Sequence, residues 1–202
     1  MTQRVVLFNG PPSSGKDTAA RYLYHSTTID YPFVQERMSM PIKKAFASIM
    51  GEYIDKWGDV AGYEDKKEQN IELLGCSYRQ WQIDFSEKFM KPLYGEAIFG
   101  ALFCLRAARH SKNAVFLVPD CGFDIEYKTL TDVFGLSNVF VIKLYRPGCT
   151  YAKDSRSWLK VGSDFIPDQG DATGRYVAHI NNSGTQDEFE IKILNTVFGW
   201  LK

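Results

Sequence analysis

The chain is predicted to fold as an α/β domain, a parallel sheet with helices on both faces. Three observations lead there. Short, almost wholly apolar runs recur, at "RVVLFN" (4–9), "NAVFLVPD" (113–120) and "NVFVIKLYR" (138–146); strands apolar on both faces belong to a parallel sheet buried from both sides. Helical stretches lie between them, as parallel connections require. A glycine-bounded turn, "GPPSSGK" (10–16), joins the first run to the first helix.

The elements follow in order. After strand 4–9, "GKDTAARYLYHS" (15–26) reads as a helix, and "FVQERMSM" (33–40) as a strand ending at Pro41. "PIKKAFASIMGEYIDKW" (41–57) carries Pro41 in its first turn and apolar residues at Ile42, Phe46, Ile49 and Met50, a helical spacing. Residues 58–76 are polar and glycine-containing, suited to loop and short helix, and 77–110 reads as two helices broken near Pro92. Strand 113–120 ends in an acid, helix 125–135 stops at Gly135, and strand 138–146 ends in an arginine. Residues 147–174 form a long polar, irregular stretch with the character of a lid. "RYVAHINN" (175–182) is a strand. The closing helix 185–201 opens on Thr185, with Glu188 placed to complete a capping box. The helical block 41–110 and the stretch 147–174 interrupt the alternation, each starting where a strand leaves the sheet. That edge is where open α/β sheets bind ligands.

The 202 residues suit a single domain, 1–202, without internal repeats. Lysine plus arginine and aspartate plus glutamate number 24 each, so no whole-chain field recruits nucleic acid or a membrane surface. The four cysteines lie far apart without a C-x-x-C pair, which fits a reducing compartment. No apolar run approaches the roughly 20 residues of a membrane span, and no basic, apolar leader precedes the first strand. A cytoplasmic protein, monomer or homodimer, is expected, with small-molecule partners.

"GPPSSGKDT" (10–18) matches G-x-x-x-x-G-K, a phosphate-binding loop, with strand before and helix after. The loop amides and the positive end of the helix form a nest for polyanionic phosphates. Ser13, Ser14, Gly15, Lys16, Asp17 and Thr18 are therefore the expected ATP-phosphate contacts, with Lys16 reaching the β- and γ-phosphates. Asp17 stands where serine or threonine is usual. As a carboxylate in a helix first turn it suits Mg²⁺, directly or through water, while Thr18 offers a hydroxyl to the α-phosphate.

"GKDTAA" (15–20) resembles the P-loop of bacteriophage-type deoxynucleoside monophosphate kinases and related small-molecule kinases. "SMPIKKAFA" (39–47) is similar to the family's F-A-D-P-I-K-x-A-L, and "SYRQWQIDFSEKF" (77–89) to its R-x-x-L-Q-x-x-G-T-E helix, with Trp81 and Phe85 replacing smaller residues. "VFLVPDCGFDIE" (115–126) resembles V-V-I-x-D-V-R-F-x-N-E, with Gly122 where the family carries arginine. "HINNSGTQDEFEIKI" (179–193) resembles the ending I-x-N-D-G-T-x-E-E-L. The resemblance implies a three-layer P-loop kinase fold with a helical acceptor-binding region (41–110) and a lid (147–174). It implies ATP-dependent phosphorylation of (deoxy)nucleoside monophosphates with Mg²⁺, in phage nucleotide metabolism.

In such an enzyme Asp120, at a strand end, is expected to orient Mg²⁺ or its water, or else to cap the following helix. Arg79 is expected on the acceptor phosphate, with Lys43 beside it. Tyr78 and Trp81 are candidates for stacking on the base, or for the core. Arg146, Lys153 and Arg156 are the cations within reach from the lid. Kinases for other small acceptors, of dephospho-coenzyme A, phosphomevalonate or sugar-acid type, remain open, as does an ATP-binding module without turnover. A GTPase switch is disfavoured, since no N-K-x-D guanine motif occurs.

Overall fold

The computed structural model describes residues 2–28, 30–51, 66–152, 154–161 and 172–202, with backbone alone at 172 and 173. The expected strands form one sheet: β1 (Arg4–Asn9), β2 (Phe33–Gln35), β5 (Val115–Val118), β6 (Val139–Tyr145) and β8 (Val177–Asn181), with β2 covering only the first three residues of the strand read over 33–40, because the chain already turns into a helix at Met40. A short β7 (Ala172–Thr173) joins the edge. The order is β2-β5-β1-β6-β8-β7, parallel except for β7 on β8. β1 is central, pairing Val5 with Phe116 on one side and with Val139 on the other.

Alternate residues of these strands feed two cores. On one face Val6, Phe8, Leu117 and Ile142 meet α1 (Lys16–His25) and the last helix, α7 (Gln186–Leu201), through Leu23, Phe189 and Ile193. On the other, Val5, Leu7, Phe116 and Val141 meet α5 (Ile98–Ala107) and α6 (Asp124–Phe134) through Phe103 and Leu130. This is the expected three-layer α/β architecture. The capping box at α7 is formed as read, with Thr185 Oγ1 accepting from Glu188 N and Glu188 accepting from Thr185 N.

Between β2 and β5 the chain builds the helical region. α2 (Met40–Ile49) is followed, past residues 52–65, by a two-stranded antiparallel pair, β3 (Asn70–Ile71) and β4 (Cys76–Ser77). Of the helix read over 41–57, α2 ends at Ile49 with Met50 as its C-cap, and residues 52–57 lie outside the described residues. α3 (Tyr78–Asp84) runs through a π-helical segment, Phe85–Met90, into the short α4 (Lys91–Tyr94). The expected break at Pro92 is therefore displaced. Pro92 is carried within the helical run, directly after the π-helical segment, and the chain leaves the helix at Gly95. Phe46, Met50, Ile71 and Tyr78 form a small third core beneath this region.

The stretch expected to be a lid is, in its described part, docked. Leu159 and Val161 are buried in the second core. Asn9, fully buried at the end of β1, donates to Ser157 O (3.0 Å) and to Tyr151 Oη (3.1 Å) and accepts from Leu159 N (3.0 Å). Lys153 and residues 162–171 lie outside the described residues.

Candidate active site

The phosphate-binding loop grows out of the central strand. β1 ends at Asn9 and α1 starts at Lys16, so the loop lies at the C-terminal edge of the sheet, between the two directions in which its neighbours depart. Gly15 caps α1 at φ 105. A Cβ there would lie 2.6 Å from Asn182 Nδ2, which donates to Ser14 O at 3.0 Å. Glycine is required twice over, for backbone angle and for space. Ser13 holds φ 63, a left-handed conformation uncommon for a residue with a side chain and concentrated at functional turns. Arg146, otherwise exposed, donates to the Ser13 carbonyl at 3.4 Å. The Ser14 hydroxyl is buried and meets no partner among the described residues, a cost that a ligand at the loop would relieve. Thr18 is half-buried in the first turn of α1.

Lys16 is 7% exposed, and its ammonium donates to the carbonyls of Gly10 and Pro11, each at 2.6 Å. Burial, and then the neighbouring Arg156, pull its pKa down to about 8, while Asp17 and Asp154 pull the other way. The group is poised to gain from an anion.

A cleft of about 670 Å³ opens beside this loop. Its cationic wall comprises Lys16, Arg37, Lys43, Lys67, Arg79 and Arg156. Three of these pair with carboxylates: Arg37 with Asp17 and Arg79 with Glu68 through one contact each, and Arg156 with Asp154 as a fork, Nε–Oδ1 at 2.8 Å and Nη2–Oδ2 at 2.6 Å. Burial alone would raise the Asp154 pKa, but the Arg156 hydrogen bonds outweigh it and hold the carboxyl at about 2. Such forks suit phosphate as well as carboxylate.

The structure brings Ser13, Lys16, Asp17, Lys43, Arg79, Asp120 and Arg156 to one cleft. It also decides between alternatives left open by the sequence. Tyr78, 1% exposed, lies 4.5 Å from the Phe46 ring, and Trp81 stacks on Phe85 at 5.0 Å; both are committed to the third core and neither lines the cleft. Asp120 does not cap the helix that follows it. Its carboxylate accepts from Met38 N (2.9 Å), Ser39 N (3.0 Å) and Ser39 Oγ (2.6 Å), clamping the start of α2 to the end of β5. Asp17, expected to suit Mg²⁺, pairs with Arg37. Among the described residues no cluster of three or more His, Cys, Asp or Glu forms a metal cage.

Sequence reasoning missed Gln82, Ser86 and Glu126. Gln82 and Ser86 follow Arg79 at helical spacing and line the same wall. The Gln82 Nε2 atom is buried there without a partner among the described residues. Period was the available signal, and the aromatic residues between them masked it. Glu126, 4% exposed, accepts from Gly122 N at 3.3 Å and also lines the cleft. Burial, then the nearby Asp120, raise its pKa to about 7.

No protein-family model matches the chain, and no curated protein matches it. Among solved structures the chain is similar to the Mycobacterium tuberculosis APS kinase CysC in complex with AMPPNP and APS, with 10% identity, a TM-score of 0.47 and 98% of each chain covered.

Proposed function

We propose that the protein is an ATP-dependent kinase that transfers the γ-phosphoryl group to a (deoxy)nucleoside monophosphate. The observation that carries this reading is one cleft lined both by the phosphate-binding loop with Lys16 and by Lys43, Lys67 and Arg79 of the helical region. Phosphoryl transfer asks for two phosphates held in line and for neutralised charge. The loop 13–18 with Lys16 holds the triphosphate. Arg79, Lys43 and Lys67 take the acceptor phosphate, and Arg156 lies near Lys16, where charge develops. An acceptor phosphate oxygen forms the new bond to the γ-phosphorus, the bond to the β–γ bridging oxygen breaks, and ADP leaves. An already anionic acceptor needs no base. Gln82 and Ser86 then face the base or sugar, and the unmet Gln82 amide gains a partner there.

Mg²⁺ takes few protein ligands, keeping waters and phosphate oxygens. Asp17 and Asp120 fit that demand as two cleft carboxylates, with Asp120 oriented by Ser39. When bound, the ion neutralises the triphosphate charge.

One observation favours a different acceptor. Glu126 is a cleft carboxyl with a pKa near neutrality, and a kinase whose acceptor is a hydroxyl uses such a group to accept the proton. ADP release from Mg·ATP, measured with each ribo- and deoxynucleoside monophosphate in turn, separates the two. Stimulation by at least one monophosphate is expected. Stimulation by none rejects the nucleotide acceptor and leaves the hydroxyl acceptor.

A further inference from the structure

We infer that Gly122 is the seat of Arg156: the missing side chain at 122 is what allows the Arg156 stem to cross the end of β5 and carry its guanidinium into the cleft beside Lys16. A Cβ built on Gly122 would lie 2.5 Å from Arg156 Cβ, 2.6 Å from Cγ and 2.7 Å from Cδ. Three consecutive stem carbons thus occupy the volume any side chain at 122 would enter. Contacts below 3.0 Å force something to move. Gly122 is not among the residues with positive φ, so space alone, not backbone angle, selects glycine here.

The stem has little freedom to step aside. Ser157 N donates to Gly122 O at 3.1 Å, so the two backbones are tied at the point of crossing. One residue on, Asn9 holds Ser157 O and Leu159 N, and Leu159 is buried in the core. At the far end Asp154 grips Nε and Nη2, and Arg156 N also donates to Asp154 Oδ1 at 3.0 Å. The guanidinium is thereby fixed from both ends of its side chain. It influences Lys16 directly, being the largest charge effect on that ammonium. Gly122 is a positioning residue. It touches no substrate and acts only through Arg156.

The functional consequence rests on the phosphotransfer proposed above; the seat itself does not. The test is a double-mutant cycle of Gly122→Ala, Arg156→Gly and the pair, read in thermal unfolding and in acceptor-dependent ADP release. Arg156→Gly removes all three stem carbons, so Gly122→Ala should lower the melting temperature beside Arg156 and leave it nearly unchanged beside Gly at 156. If Gly122→Ala alone fails to fold, recovery of folding in the double variant is the same result. In turnover, Gly122→Ala should reduce kcat on the order of 10²-fold, as expected when a charged group is misplaced by about 1 Å, and should add nothing in the Arg156→Gly background. The KM for ATP should change far less than kcat. Equal destabilisation by Gly122→Ala in both backgrounds overturns the seat. A non-additive melting cycle without any acceptor-dependent turnover upholds the seat and rejects the phosphotransfer reading instead.

Discussion

Lys16 is central to the proposed phosphotransfer. Its ammonium is buried against two loop carbonyls, with a pKa drawn down to about 8 by burial and by Arg156. A triphosphate favours the charged form, so affinity for ATP should weaken as pH rises through about 8. Lys16→Ala should reduce transfer at least about 10²-fold, the scale of losing one preorganised donor, and should leave the circular dichroism spectrum unchanged. Near-normal turnover in that variant would remove the loop from the mechanism. Glu126 makes the complementary prediction for stability. Its folded pKa is raised from the ordinary 4.5 to about 7. The native state therefore holds a proton that the unfolded chain has released, and stability falls as pH rises from about 4.5 to about 7. Glu126→Gln should abolish that dependence and be more stable than the parent at pH 8, by at most about 3 kcal/mol; denaturant unfolding at pH 5 and pH 8 measures it. An unchanged pH profile in the variant would contradict the assignment.

At the scale of elements, the segment 154–161 decides what the cleft can do. It holds Arg156 in place because Asn9 ties its backbone to the central strand and Leu159 anchors it in the core. Asn9→Ala leaves the Leu159 amide buried without its acceptor, a loss of about 1–3 kcal/mol. Urea unfolding should show that loss, and hydrogen exchange at Leu159 should quicken more than exchange in β5. Uniform acceleration across the sheet would mean the segment is not separately anchored. This docking was not legible in the sequence. Leu159 and Val161 belong to the short run Trp158-Leu159-Lys160-Val161 in a mainly polar stretch, and the holding side chain lies 150 residues away. The strands were legible, because burial on both faces writes itself as an unbroken apolar run. β3 and β4, two residues each, left no period to read. The wall of α3 was half legible. Arg79 was found, but Tyr78 and Trp81 drew attention from Gln82, since an aromatic suits a core and a nucleobase equally well. The loop at 10–16 needed no structure, because its chemistry lies in backbone amides that glycine spacing announces.

For the whole molecule, the cleft opens at the C-terminal edge of a sheet whose central strands, β1, β5 and β6, are buried on both faces. The cleft draws on two separate parts of the chain: the loop follows β1 itself, and Arg79 and Gln82 come from the region between β2 and β5 in sequence. Among the described residues no helix is long and apolar enough to cross a membrane. The division of the cleft predicts separable kinetics. Arg79→Ala should raise the KM for the monophosphate about 10-fold or more, as loss of a charge-assisted contact of 1.5–3 kcal/mol implies, with little change in the KM for ATP. Equal effects on both substrates would place Arg79 elsewhere in the reaction. All of this depends on the loop between Gly10 and Thr18 holding a triphosphate. Calorimetric titration of Mg·ATP into the folded parent protein and into Lys16→Ala tests it most directly. Saturable one-site binding to the parent, weakened at least about 10-fold in the variant, is the predicted result. No heat of binding to the parent, or equal affinity in both, would contradict it.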